Sequence, residues 1–116
     1  MTTRRLCYAL DLKDDPALIA EYERYHAAGA VWPDITASIR EAGIVEMQIF
    51  RTGNRLFMIT EVDPSFDPET KLASDDANPT IQKWEALMET YQQALPWARE
   101  GQKWVPMTEV FALSAQ

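Results

Sequence analysis

The chain has 116 residues, 47% apolar and 25% charged, with 11 basic against 18 acidic side chains, a formal charge of -7 and a pI near 4.6. That length suits a single domain, residues 1–116, with a core of its own, and the acidic balance repels phosphate backbones and anionic lipid, which excludes nucleic acid as an expected partner. One cysteine, Cys7, allows no intrachain disulfide and no cysteine-based zinc site; with no signal-peptide core and no apolar run of about 20 residues, the expectation is a cytoplasmic protein without a membrane partner.

From Arg4 to Leu12, the residues Leu6, Tyr8, Leu10 and Leu12 alternate with Cys7, Ala9 and Asp11, the two-residue period of a strand. The next run, "KDDPALIAEYERYHAAG", offers Asp14 or Asp15 as an N-cap and Pro16 for the first turn. Leu18, Tyr22, Tyr25 and His26 then recur at helical spacing, which predicts a helix ending near Gly29. Trp32-Pro33 restarts a second helix that runs to Gly43 with Ile35, Ile39 and Ala42 inward, so a bend falls just after the histidine. Ile44–Arg51 and Arg55–Val62 read as antiparallel strands joined by "TGN". "DPSFDPETKLASDDAN", Asp63 to Asn78, is polar and broken by prolines, and reads as a mobile loop with about one helical turn. Pro79 opens a helix whose stripe, Ile81, Trp84, Met88, Tyr91 and Leu95 with Leu87 beside it, must pack on a sheet. "PWAREGQ" then leads into a last strand, Lys103 to Leu113, with Val105, Met107, Glu109, Phe111 and Leu113 on one side.

The order strand, split helix, strand, strand, helix, strand is that of a ferredoxin-like α+β domain, an antiparallel four-stranded sheet with helices on one face. An apolar sheet face left bare must meet a ligand or another subunit, which predicts a homodimer with sheet faces opposed, as in dimeric α/β barrels.

His26 is the sole histidine. It follows Tyr22 by four residues, so both side chains leave one helix face and can meet a common ligand. With a pKa near 6.5, an imidazole both gives and takes a proton near neutrality with no metal or cofactor. A half-exposed helix histidine without a role is the competing reading. Glu61 shares its strand face with Phe57 and Ile59, and Glu109 shares its face with Met107 and Phe111. A carboxylate on an apolar face needs a partner, whether Arg4, Arg5 or Arg55, solvent at a strand end, or a ligand hydroxyl. The four tryptophans, Trp32, Trp84, Trp97 and Trp104, offer ring faces for the C–H face of a sugar and indole N–H groups for its hydroxyls. Trp32 and Trp97 stand beside prolines in bends and read as pocket walls; Trp84, inside an apolar stripe, reads equally as core. No glycine-rich phosphate loop, histidine pair for a metal or Ser-His-Asp arrangement is present. Asp75 and Asp76 lack the ligand count of a calcium site and read as solvated.

The run "YERYHAAGAVWPDITASIREAGI" resembles the "Y...H...(I/V)WPE(L/I)...L...G" segment of the L-rhamnose mutarotase family. "NRLFMITEV" is similar to that family's third strand with its closing glutamate, "KWEALM" to its tryptophan-bearing helix and "MTEVFAL" to its terminal strand, so the resemblance covers nearly the whole chain. It implies a ferredoxin-like fold, a dimer through the sheets, and cofactor-free exchange of the anomers of a 6-deoxy sugar. It further implies that His26 is the proton donor, Tyr22 a substrate-binding tyrosine and Trp84 the first of two substrate-contacting tryptophans. Two positions depart from the family pattern: Glu85 replaces the second tryptophan, and Met47 replaces a substrate-binding tyrosine on the second strand. A ring stack and a hydroxyl are lost and an acceptor is gained, so a different hydroxyl pattern is expected to be read. The tail "LPWAREGQKWVPMTEVFAL" is similar to the L-fucose branch, which makes L-fucose the expected substrate and L-rhamnose the alternative. In the implied mechanism His26 protonates the ring oxygen, and Glu61, Glu109 or a water takes the anomeric proton. Readings of other classes are a cofactor-free monooxygenase on the same fold and a non-catalytic sugar-binding module using the same rings.

Overall fold

The computed structural model describes residues 2–116. In chain order the elements are β1 (Arg4–Leu12), α1 (Pro16–His26), α2 (Pro33–Glu41), β2 (Ile44–Thr52), β3 (Arg55–Val62), α3 (Pro68–Asp76), α4 (Pro79–Glu89), β4 (Gln92–Gln93) and β5 (Val105–Pro106), with a closing 3-10 turn at Leu113–Ala115. All four α-helices begin at a proline preceded by a residue held out of the helical region, Asp15, Trp32, Asp67 or Asn78. Clash with the proline ring keeps that residue extended, while the fixed φ of proline suits the first helical position. At three of the four starts the preceding side chain caps freed N–H groups. Asp15 Oδ1 accepts from Ala17 and Leu18 at 2.9 and 3.1 Å, Asp67 Oδ1 from Glu69 at 3.1 Å, and Asn78 Oδ1 from Thr80 at 3.0 Å.

The third of these starts corrects the sequence reading, because the segment expected to be a mobile loop with one turn is the nine-residue helix α3. Its Asp67-Pro68 start carries the same signal as α1 and α4, but none of its residues is buried, so no apolar stripe marks it.

The sheet is antiparallel in the order β2-β3-β1-β4, with β5 also paired to β1. The pieces β4 and β5 lie end to end along one edge of β1. Leu12 and Asp11 face Gln92 and Gln93, Ala9 and Tyr8 face Val105 and Pro106, and the Met107 N–H donates to the Cys7 carbonyl at 2.9 Å. Together they are the fourth strand of a ferredoxin-like sheet, interrupted by an excursion over residues 94–104. Two expectations change accordingly. The helix expected to carry Tyr91 and Leu95 stops at Glu89, and the strand expected over Lys103 to Leu113 shrinks to Val105–Pro106. Tyr91 and Leu95 are buried as their spacing required, but outside the helix, Tyr91 in the turn that closes α4 and Leu95 just past β4. The Tyr91 carbonyl accepts the Lys13 N–H at 2.9 Å, and pairing with the open edge of β1 outweighs another helical turn. Beyond Met107 the chain leaves β1, and Val110 and Phe111 are 94% and 66% exposed.

Alternation along β3 sends Leu56, Met58, Thr60 and Val62 inward beneath the helices, where Leu56 and Leu12 join Tyr22, Ile35, Ile81 and Trp84 in the core. The opposite face carries Phe57, Ile59 and Glu61, flanked by Cys7 and Ala9 on β1 and by Phe50 on β2. Between α2 and β2, Gly43 has φ +93°, and a Cβ there would meet Asp63 Oδ1 at 2.5 Å. Only glycine turns the chain so sharply with Asp63 so close.

Candidate active site

A cavity of about 580 Å³ opens between the helix layer and the sheet, a size typical of small-molecule sites. Helix α1 contributes Tyr22 and His26 to its wall, one turn apart as their spacing requires. The two rings stack with centroids 4.2 Å apart, and Trp84 of α4 stands edge-on to the imidazole at 5.5 Å. Trp32 does not line the cavity; it packs against Trp84 at 5.1 Å and holds that ring from behind.

His26 Nδ1 lies 2.7 Å from the Tyr22 carbonyl. A carbonyl only accepts, so Nδ1 carries the proton and donates it, leaving Nε2 as the nitrogen available for chemistry. Burial lowers the imidazole below its usual 6.5, and the bond to the Tyr22 carbonyl pulls it partly back. Burial likewise pushes the Tyr22 phenol up to about 12, with the Gln92 side chain opposing and the Glu85 charge reinforcing the rise. Tyr22 therefore keeps its hydroxyl proton across the physiological range and serves as a neutral donor and acceptor.

Met47 and Glu85, the two departures from the family pattern, both line the cavity. Lys103 Nζ holds Glu85 Oε2 at 3.1 Å and Glu89 Oε1 at 2.8 Å, fixing the Glu85 carboxylate at the rim. Glu61 and Glu109 are not brought here within the chain. Glu61 lies on the opposite sheet face, 3.6 Å from Arg5 Nη2, and Glu109 is exposed on the segment after β5. Trp97 is no wall of this cavity: it is 62% exposed, with the Arg55 guanidinium 5.2 Å from its ring centroid. That guanidinium in turn grips the buried Asp11 carboxylate at 2.8 and 3.1 Å. The fourth tryptophan, Trp104, does line the cavity, together with Tyr8 and Gln92. Sequence reasoning singled out none of these three as wall residues. Tyr8 was legible from its inward parity on β1, whereas Gln92 was hidden inside the helix expected to continue past it. Among the described residues, no three histidine, cysteine or carboxylate side chains converge as metal ligands would. No helix among the described residues is long and apolar enough to cross a membrane.

A ferredoxin-like sheet roofed by helices, with one imidazole among aromatic rings in a cavity of this size, defines a small-molecule α+β domain whose chemistry centres on proton transfer. The L-rhamnose mutarotase family matches residues 5–113, and the chain belongs to that family. It is accordingly an isomerase of the mutarotase class. The L-fucose mutarotase of Xanthomonas campestris pv. campestris is 52% identical over 114 residues, covering 98% of this chain and 91% of that protein. Among solved structures, the L-rhamnose mutarotase of Formosa agariphila superposes with a TM-score of 0.66 at 24% identity, over 95% of this chain and 98% of that one. Tetracenomycin F2 cyclase from Streptomyces glaucescens, a type-II polyketide cyclase, superposes with a TM-score of 0.63 at 21% identity, over 94% and 97%. At those identities the two structures establish the shared fold.

Proposed function

We propose that this protein interconverts the α and β anomers of L-fucose by acid–base opening and closing of the pyranose ring. The observation that carries the reading is the placement of His26, with Nδ1 committed to the Tyr22 carbonyl and the ring held between Tyr22 and Trp84 on the cavity wall. The 52% identity to an L-fucose mutarotase supports the choice of sugar. In the forward step the Nε2–H of protonated His26 goes to the ring oxygen as the C1–O5 bond breaks. A base takes the proton of the anomeric hydroxyl, C1 becomes an aldehyde carbon, the C1–C2 bond rotates, and the reverse transfers close the ring on its other face. Of the carboxylates in the wall, Glu85 is the one whose charge reaches the Tyr22 phenol. It or a water held by it takes the anomeric proton, a role that Glu61 and Glu109 are not placed to fill within one chain. Trp84 presents a ring to the C–H face of the sugar, and Met47 shapes the wall where a hydroxyl is absent.

The test is saturation-transfer NMR of anomer exchange. His26→Ala is expected to slow exchange of L-fucose by about 10²- to 10⁴-fold with an unchanged circular dichroism spectrum. Because burial places the imidazole below 6.5, the histidine-dependent part of the rate should rise as pH falls toward that lower value and be missing from the variant. A variant exchanging fucose at the parental rate sinks the assignment, and faster exchange of L-rhamnose than of L-fucose sinks the choice of sugar.

The same reading places a second copy of the chain over the free sheet face, supported by Phe50, 52% exposed beside Phe57 and Ile59, and by the apolar side chains exposed after β5. A single unpaired cysteine, Cys7, suits the reducing cytoplasm in which a sugar-catabolic enzyme works.

A further inference from the structure

The proton transfers proposed above use the helix side of the cavity, where Tyr22, His26 and Trp84 stand. Opposite them the sheet forms a floor whose side chains differ in what they can offer a sugar. Tyr8 shares its parity with the core residues Leu10 and Leu12 and faces Met58 across the β1–β3 pairing, so it rises on the side of the helices and forms part of the wall. Beside it Met47, Ile49 and Met58 bring no hydrogen-bond donor. Thr60 brings a hydroxyl, but its proton goes to the Leu6 carbonyl at 2.9 Å. At the edge of the floor the Gln92 side chain hydrogen-bonds the Tyr22 phenol. Tyr8 is then the strand residue of the wall whose hydroxyl proton is uncommitted among the described residues. Its ring is half-buried between Met58 and Pro106 on the flanking strands. Burial is the main cause that raises its phenol above 10.0, with the Arg4 charge opposing and Cys7 reinforcing, and no hydrogen bond contributes. The hydroxyl therefore keeps its proton at neutral pH, and its partner is water in the free protein and a ligand oxygen when the cavity is filled.

We propose that Tyr8 is a specificity-determining residue whose hydroxyl donates a hydrogen bond, from the sheet side, to a ring hydroxyl of the bound 6-deoxy hexose. The proposal rests on the mutarotase reading and adds a residue that neither the motif resemblance nor the helical spacing pointed to. His26 acts on the ring oxygen from the helix side, so a contact from the floor falls on a hydroxyl that neither gains nor loses a proton in the reaction. Such a contact is made equally in the substrate and the transition state, and it therefore appears in KM and leaves kcat nearly unchanged. It also reads configuration. Inverting the carbon that carries the hydroxyl turns the oxygen away from the floor, and the phenol then faces a C–H group. The apolar neighbours make the reading selective, because a hydroxyl placed elsewhere along Met47, Ile49 and Met58 meets no donor there.

The test is Tyr8→Phe, which keeps the ring and removes the hydroxyl alone. Its KM for L-fucose, from anomer-exchange rates at a series of sugar concentrations, should rise about 3- to 10-fold while kcat stays within about twofold of the parent. The melting temperature should stay within a few degrees of the parent, since the hydroxyl holds no other part of the chain. The 2-, 3- and 4-deoxy derivatives of L-fucose identify the contacted hydroxyl. For one of them the ratio of variant to parental KM should fall to near 1, while for the other two it keeps the value found with fucose, a pattern that general loosening of the pocket does not produce. A parental KM in Tyr8→Phe overturns the proposal, and so does a fall in kcat at unchanged KM, which would make the hydroxyl part of the chemistry. A raised KM with the same ratio for all three derivatives, or with a matching fall in melting temperature, overturns it by making the residue structural. Where the parent exchanges L-fucose, these outcomes bear on Tyr8 alone; a parent that exchanges no pyranose overturns the mutarotase reading and this proposal with it.

Discussion

Tyr22, 3% exposed, does two jobs with one side chain: it belongs to the core and it forms part of the cavity wall. Its phenol titrates near 10.0 in the unfolded chain and at about 12 in the fold, so the folded state holds the proton more tightly. The associated stability is fully present below pH 10 and is lost as pH rises through the folded value. Two pH units correspond to about 2 to 3 kcal/mol. Urea titrations between pH 10 and 12 should therefore show a steeper loss of stability for the parent than for Tyr22→Phe. Equal slopes would mean that the phenol is not buried as described. The slope that remains in Tyr22→Phe would come from Tyr8 and Tyr91, which are also raised by burial. His26 has the opposite sign: its folded pKa lies below 6.5, so its contribution is full above the unfolded value and falls away as pH drops through the folded one.

The excursion over residues 94–104, which splits the fourth strand, is what brings Trp104 to the cavity. Lys103 fastens it to α4 through Glu85 and Glu89. Burial pulls the Lys103 ammonium down, but the bonds to the two carboxylates outweigh it and hold the group above the usual lysine range. These side chains are 32 to 60% exposed, so each pair is worth under about 1 kcal/mol and the fold does not depend on them. Lys103→Met should leave the melting temperature within a few degrees of the parent yet raise KM for fucose several-fold with a smaller change in kcat, because Glu85 loses its anchor and Trp104 its neighbour. Anomer-exchange rates at a series of sugar concentrations measure both constants, and an unchanged KM would show that the excursion is held by other contacts. The helix starts show how local such choices are: Asp67-Pro68 sets α3 going by the same capping chemistry as Asp15-Pro16, without any buried face.

At the scale of the molecule, the sheet has one face covered by helices and another on which Phe50, Phe57 and Ile59 line up across β2 and β3. An apolar strip of this kind is stable in water when a second surface covers it. Phe50→Glu puts a charge on this strip and should convert the proposed dimer to a monomer in sedimentation equilibrium, while leaving the core residues on the other side of the sheet untouched. A parent that sediments as a monomer at micromolar concentration would refute the pairing. If the variant monomer keeps its exchange rate, each cavity is complete within one chain; if it loses the rate but not its fold, the partner contributes to the site.

Much of this architecture follows from the order of residues alone. The alternation in β1 and β3, the proline-marked helix starts and the one-turn spacing of Tyr22 and His26 act over a few residues, so they can be read without knowing what packs against them. The departures arise where the deciding partner is far along the chain. Tyr91 and Leu95 keep a helical spacing, yet the open edge of β1, some eighty residues earlier, claims the backbone and ends α4. The pattern around Glu61 shows which residues share its face; only the packing of the helices decides that this face lies away from His26. That Trp104 and not the expected Trp97 lines the cavity has the same cause, since the path of the excursion sets which ring meets the cavity and which meets Arg55. Sequence by itself determined most of the element starts and the one-turn pairing of Tyr22 with His26, because those depend on local sterics and side-chain spacing. The tertiary structure decided which polar groups meet in the cavity, because that depends on long-range strand pairing and on which side of the sheet the helices close.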